Sequence, residues 1–197
     1  MRQGTRRYIL LIASASMIVW GAACRSSTGL LGPVDETADA AQMIMDANAD
    51  LKEIRKLYDA NVYKREALKS AMAADDPAEV RKIADELVYL INDGAKFGKS
   101  ALDKIEEARG LKINEDYADY LRLKREALTN QLNAFEEYRQ AARKLRDNYN
   151  PKDKQAHAEV KADFERRSEE FQKQMEKARE YSIQANELAK EVSRRPQ

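Results

Sequence analysis

Cysteine and histidine are nearly missing from this chain, with one of each in 197 residues. A lone Cys cannot close an internal disulfide or build a Cys-based zinc site. A lone His cannot supply the paired Glu-x-x-His ligands of a di-metal carboxylate centre. Glycine and proline are scarce too, at seven and four residues, too few for a turn-rich all-β fold or a low-complexity disordered chain. Neither sign of charge dominates. Lys and Arg number 35 against 34 Asp and Glu, a formal +1, so an extended basic surface for nucleic acid is not expected. Long apolar runs are absent as well: the uncharged stretch from Tyr8 to Ala23 is 16 residues, below the ~20 that span a bilayer comfortably. What is abundant is Ala, Glu, Lys, Arg and Leu, the composition of long helices.

The first 24 residues read MRQGTRRYILLIASASMIVWGAAC. Arg2, Arg6 and Arg7 give a positive start, Tyr8 to Trp20 a short apolar core, and Gly21-Ala22-Ala23 a small-residue exit. Those are the marks of a secretory signal peptide. The run Gly21-Ala22-Ala23-Cys24 resembles the lipobox of bacterial lipoproteins. The resemblance implies cleavage between Ala23 and Cys24, a diacylglycerol on the Cys24 thiol, and usually a further acyl group such as palmitate on the new amino terminus. Residues 1–23 are then the signal peptide and residues 24–35 the lipidated Cys and a flexible tether, rich in Ser, Gly and Pro. Several acyl chains, at ~0.8 kcal/mol per buried methylene, hold a protein firmly where one does so marginally. The family usually carries Leu, Val or Ile where this chain has Gly21. Gly21 and Ala23 also suit ordinary signal peptidase, which would cut the same bond and release a soluble secreted helical protein. A third reading is an uncleaved, slightly short anchor helix. Arg25, in the place where inner-membrane lipoproteins of enterobacteria often carry Asp, favours the outer membrane, facing the periplasm or the cell surface. Cleavage would remove three Arg and no acid, so 32 basic against 34 acidic residues leave a net −2.

From Thr37 onward apolar residues recur at alternating spacings of three and four, a heptad seam. The stripes run from Thr37 to Met72, Val80 to Ala108, Tyr117 to Tyr149 and His157 to Val192. Asp76 with Pro77 and Glu79, Asn114 with Glu115 and Asp116, and Asn150 with Pro151 read as helix starts, and Gly110 as a stop. The expected fold is all-α: an antiparallel up-down-up-down four-helix bundle with coiled-coil-like packing over residues 36–193. Its helices are expected at about 36–73, 77–109, 114–149 and 151–193, with residues 194–197 a disordered tail. Helices of this length run ~50 to 65 Å, and their short connections force antiparallel neighbours.

Several seam positions are polar. Counted from the end holding the Asp76 and Asn150 turns, Asn61, Arg65, Asp93, Gly94, Gln131 and Arg167 fall within about three turns of one another, with Lys124 and Gln174 slightly further on. Such a layer ordinarily fixes register at a cost in stability. With Gly94 and Gly98 clearing one face, however, Arg65, Asp93, Gly94, Gln131 and Arg167 could line a notch for an anionic group. His157 and Met72 share one end, a combination known from haem-binding bundles, but no C-x-x-C-H is present and the surroundings of His157 are polar; neither cofactor nor metal is expected. Carboxylates alternate with Lys and Arg, as on a solvated helix face, and no Ser sits in a strand–turn–helix elbow. No enzyme is expected. The sequence points instead to a non-enzymatic, membrane-anchored envelope lipoprotein, acting as a structural or protein-interaction module whose partner is another envelope protein and not nucleic acid. The alternative is a carrier holding a small anionic or hydrophobic molecule in the bundle interior, which calls for a cavity of several hundred cubic ångströms.

Overall fold

The computed structural model describes residues 35–194. The expected signal peptide, its expected cleavage point at Ala23–Cys24, the expected tether up to residue 34 and residues 195–197 lie outside the described residues. The described body is all-α, with five helices: α1 (Thr37–Asn61), α2 (Tyr63–Ala73), α3 (Pro77–Arg109), α4 (Glu115–Asn148) and α5 (Lys154–Arg194). No helix among the described residues is long and apolar enough to cross a membrane.

The caps explain most boundaries. The Asp76 carboxylate accepts the N–H groups of Ala78 at 3.0 Å and Glu79 at 3.1 Å, and Pro77 opens α3 where its missing N–H costs nothing. Asn114 accepts the Tyr117 N–H at 2.9 Å to open α4. Gly110 ends α3 at φ −75°, in the right-handed region, so the stop does not use glycine's left-handed freedom. That conformation falls instead to Asp75, at φ 48°, in the turn before α3. Two expected boundaries shift. The helix over 36–73 is interrupted at Val62, and the last helix begins at Lys154 rather than at Pro151. Asn150 accepts the Lys152 N–H at 3.2 Å, which curls 150–153 into a turn. Asp153 then caps α5 through the Ala156 N–H at 3.1 Å.

Charged ladders give the direction of each helix. Asp50 pairs with Lys104 and Lys64 with Glu86, so α1 and α2 descend against α3. Glu106 pairs with Arg125, and Asp85 with Arg146, setting α4 antiparallel to α3. Arg167 reaches Glu137, and Asp163 reaches Lys144, setting α5 antiparallel to α4. The first arm, α1 followed by α2, runs parallel to α4, with Asn48 facing Lys124 and Met72 facing Tyr149. Glu36, just ahead of α1, is joined to Lys112 twice: its N–H donates to the Lys112 carbonyl at 2.9 Å, and its carboxylate accepts the Lys112 N–H at 2.7 Å.

The seams close over two core clusters. At the Asp76 end, Leu68 and Met72 of α2 meet Val80, Ile83 and Leu87 of α3, Tyr138, Leu145 and Tyr149 on the α4 side, and Phe164 and Phe171 of α5. At the Thr37 end, Ala40, Ile44 and Ala47 meet Ala101, Ile105, Ala108, Leu121 and Leu128. No α5 residue joins this second cluster. Each large side chain so buried contributes about 1.5–3 kcal/mol. The last part of α5 lies along α4, burying Ala178 and Ala185, and has no comparable packing against α1.

Candidate functional site

The interruption of the first arm falls where the two clusters part. Asn61 turns its side chain back, and its amide donates to the Leu57 carbonyl at 2.9 Å, competing with the helix's own donors. The Arg65 N–H reaches only the Val62 carbonyl, at 3.4 Å. Val62 itself keeps helical angles (φ −55°, ψ −33°), so the axis continues while the hydrogen-bond ladder skips.

Beneath the break lies a cavity of about 80 Å³. Ile54, Leu57, Tyr58, Asn61, Val62 and Arg65 line it from the first arm, Leu87, Leu90, Ile91 and Gly94 from α3, Phe135 and Tyr138 from α4, and Phe171 from α5. The lining is apolar except at Asn61 and Arg65. The Arg65 guanidinium lies 4.8 Å from the Phe171 ring centre and 5.4 Å from that of Tyr138, contacts worth ~0.5–2 kcal/mol each depending on desolvation. Burial pushes the Tyr138 hydroxyl up from its ordinary pKa, against the opposing pull of Arg65. The two glycines of α3 differ. A Cβ on Gly94 would meet nothing within 4 Å, whereas one on Gly98 would collide with Leu132 Cδ2. Gly98 therefore serves close approach of α3 and α4, and Gly94 faces the cavity.

Of the five residues expected to form a notch, the structure brings together Arg65 and Gly94. Asp93 is exposed and pairs with Lys96 at 2.8 Å. Gln131 is half-buried on α4 but outside the cavity wall. Arg167 turns toward α4 and α5 carboxylates, donating to Glu137 at 2.7 Å, Gln140 at 2.6 Å and Asp163 at 3.1 Å. Direction around each helix keeps Asp93 and Arg167 out of the cavity wall. Asp93 is one position, about 100°, from the cavity-facing Gly94, and Arg167 has nearer anionic partners on its own side. Lys124 and Gln174 form no shared site: Lys124 donates to Asn48 at 3.3 Å, with burial lowering its pKa, and Gln174 to Glu170 at 3.0 Å.

At the Asp76 end, the fully buried Tyr149 donates to the Met72 carbonyl at 3.0 Å and lies 3.1 Å from Asp75 Oδ1. Lys161 reaches the same carboxylate oxygen at 3.1 Å, and His157 Nε2 stands 3.3 Å from it. Lys161 and the Tyr149 hydroxyl hold the Asp75 carboxyl below its usual range, while burial and then Asp75 push Tyr149 up to about 12. His157 also meets the Tyr149 ring edge-on at 4.7 Å. This cluster ties the turn before α3 to the start of α5. Among the described residues, no group of three or more His, Cys, Asp or Glu is placed to hold a metal.

Sequence reasoning missed the outer surface of the break. Tyr58, Val62 and Tyr63 are 41%, 46% and 61% exposed. Tyr89 of α3, one turn from the Glu86 that pairs with Lys64, is 68% exposed. Only Met45 and Ile183 are comparably exposed large apolar side chains elsewhere among the described residues. The available signal was Tyr63 and Tyr89 lying off the seams among charged neighbours. No protein-family model, characterised protein or solved structure matches the chain.

Proposed function

We propose that the protein is an envelope lipoprotein, anchored through acylated Cys24, whose helical body is a non-enzymatic structural or protein-interaction module. In this reading α1 and α2 together form one arm of an up-down-up-down four-helix bundle, and the anchor sits in the outer membrane. The pattern of Met1 to Cys24 carries the anchoring: a basic start, an apolar core too short to span comfortably, and a small-residue exit ending in the only Cys. Large apolar side chains left exposed at the break, Tyr58, Val62 and Tyr63, and Tyr89 on α3 support the interaction role, because exposed apolar groups beyond a scattered few mark docking surfaces. The cavity beneath the break, at about 80 Å³, is well below the ~300–1,000 Å³ of pockets that enclose a drug-sized cargo.

Labelling with palmitate tests the anchor. Wild type is expected to incorporate the label and Cys24→Ser to lose it. A mature protein beginning at Cys24 with no acyl mass would establish the secreted reading instead. For the body, a photocrosslinking residue at Tyr63 or Tyr89 should capture a protein from the native envelope that the same residue at exposed Glu180 of α5 does not. Identical capture at both places removes the case for this surface.

A further inference from the structure

The cavity under the break combines three properties that ordinary core packing does not explain together. Its walls are apolar, and its rim at Tyr58 and Val62 is solvent-exposed. Gly94 holds it open: a side chain there would meet empty space, yet the position carries none although glycine weakens a helix interior. Lastly, it contains one cation without a countercharge. Among the described residues Arg65 makes no ion pair; its guanidinium lies over Phe171 and Tyr138 and is near the Tyr138 hydroxyl. Nearby basic side chains are differently placed, with Lys64 on Glu86, Arg139 on Glu136 and Arg167 on Glu137. A guanidinium has five N–H donors in a fork that matches a carboxylate, and the aromatic rings offer it no acceptor of that kind.

We propose that this cavity binds a small monoanion with a short apolar body, a carboxylate of about the size of hexanoate, with its chain against Phe171 and Gly94 and its carboxylate on Arg65. The volume limits the class. A closed apolar cavity of ~150 Å³ takes benzene; this one is smaller but open at the rim, so a linear chain enters end-on while its charged head stays at Arg65. A neutral ligand of the same shape would leave the cation uncompensated, and a cation would be repelled. The site stands apart from anchoring at Cys24, since the cavity belongs wholly to the helical body.

Hexanoate, with 1-hexanol as the neutral analogue, tests the proposal by titration of the full chain followed by NMR. Hexanoate is expected to bind saturably and to show nuclear Overhauser contacts to the Phe171 and Tyr138 rings. It should bind about tenfold more tightly than 1-hexanol, the margin that a charge-assisted hydrogen bond brings. Arg65→Gln should lose that preference while still binding the alcohol. Gly94→Leu, which places its side chain in the cavity, should bind neither while keeping the helical circular dichroism. If Gly94→Leu fails to fold, Gly94→Ala substitutes for it and should weaken both ligands. The proposal is overturned by contacts mapping elsewhere, by equal affinity of wild type for acid and alcohol, or by undiminished hexanoate binding in the folded Gly94 variant.

Discussion

Gly94 and Gly98 stand one turn apart on α3 and face different surroundings, and a single added methyl separates their roles. In a helix interior, glycine is about 0.8–1 kcal/mol less favourable than alanine. Gly94→Ala recovers that difference with no collision, because its Cβ meets nothing within 4 Å; the expected gain is about 0.5–1 kcal/mol in urea unfolding. Gly98→Ala recovers the same intrinsic term, but its Cβ meets Leu132 Cδ2, the free end of a rotatable side chain that must turn aside, so part of the gain is lost. Gly98→Ala should therefore be the less stable of the two. Equal midpoints would mean that α3 and α4 are not held as closely as Gly98 implies. The sequence marked both glycines as clearing one face, but spacing alone could not show which faced a void and which a neighbour.

At the scale of the helix, the break at Val62 is the one feature that the heptad pattern concealed. The seam resumes across it in phase: Ile54 before it and Leu68 after it are both buried, with Tyr58 41% exposed between them. Helical dihedrals at Val62 explain why, since the face presented to the core does not rotate. Only the hydrogen bonds record the interruption, through Asn61 on Leu57 and the long Arg65–Val62 contact. Amides of residues 63–66 should accordingly exchange faster with deuterium than those of 50–57 or 67–71. Asn61→Ala removes the competing side chain and should slow that exchange. Uniform protection from Thr37 to Ala73 would show one continuous helix. The caps at Asp76 and Asn114 were legible because their chemistry is local. The start of α5 was not, because Asn150 and Pro151 suit a turn as well as a helix start, and Asp153 settles the matter three residues later.

Across the whole molecule, carboxylates link α1 and α2 to α3, α3 to α4, and α4 to α5, and several carboxyls are held below their ordinary pKa. Lys161 and Tyr149 lower Asp75, and Arg146 lowers Asp147. Burial alone would raise Asp50, Glu106 and Asp163, but Lys104 and Ser100, Arg125 and Arg109, and Arg166 and Arg167, respectively, outweigh it. A carboxyl with a depressed native pKa stabilises the fold fully above its unfolded value, 3.8 for Asp and 4.5 for Glu. That contribution is lost as pH falls through the lower native value. The urea midpoint should thus show no loss from these groups between pH 7 and 5, then decline below about 4.5; a midpoint unchanged down to pH 3 would mean that the ladders do not stabilise the fold. The helical class and almost every seam residue were readable because burial repeats with the helical period. The ladder partners were not, since which of many surface Lys, Arg, Asp and Glu meet depends on the stagger between helices.

The double link between Glu36 and Lys112 has a mechanical consequence. Any tension applied from the N-terminal side reaches residue 36 before it reaches the seam of α1, and there it is shared with the connection between α3 and α4. A pull along the axis of α1 loads its contacts with α3 and α4 side by side, in shear, so that they resist together instead of parting one after another.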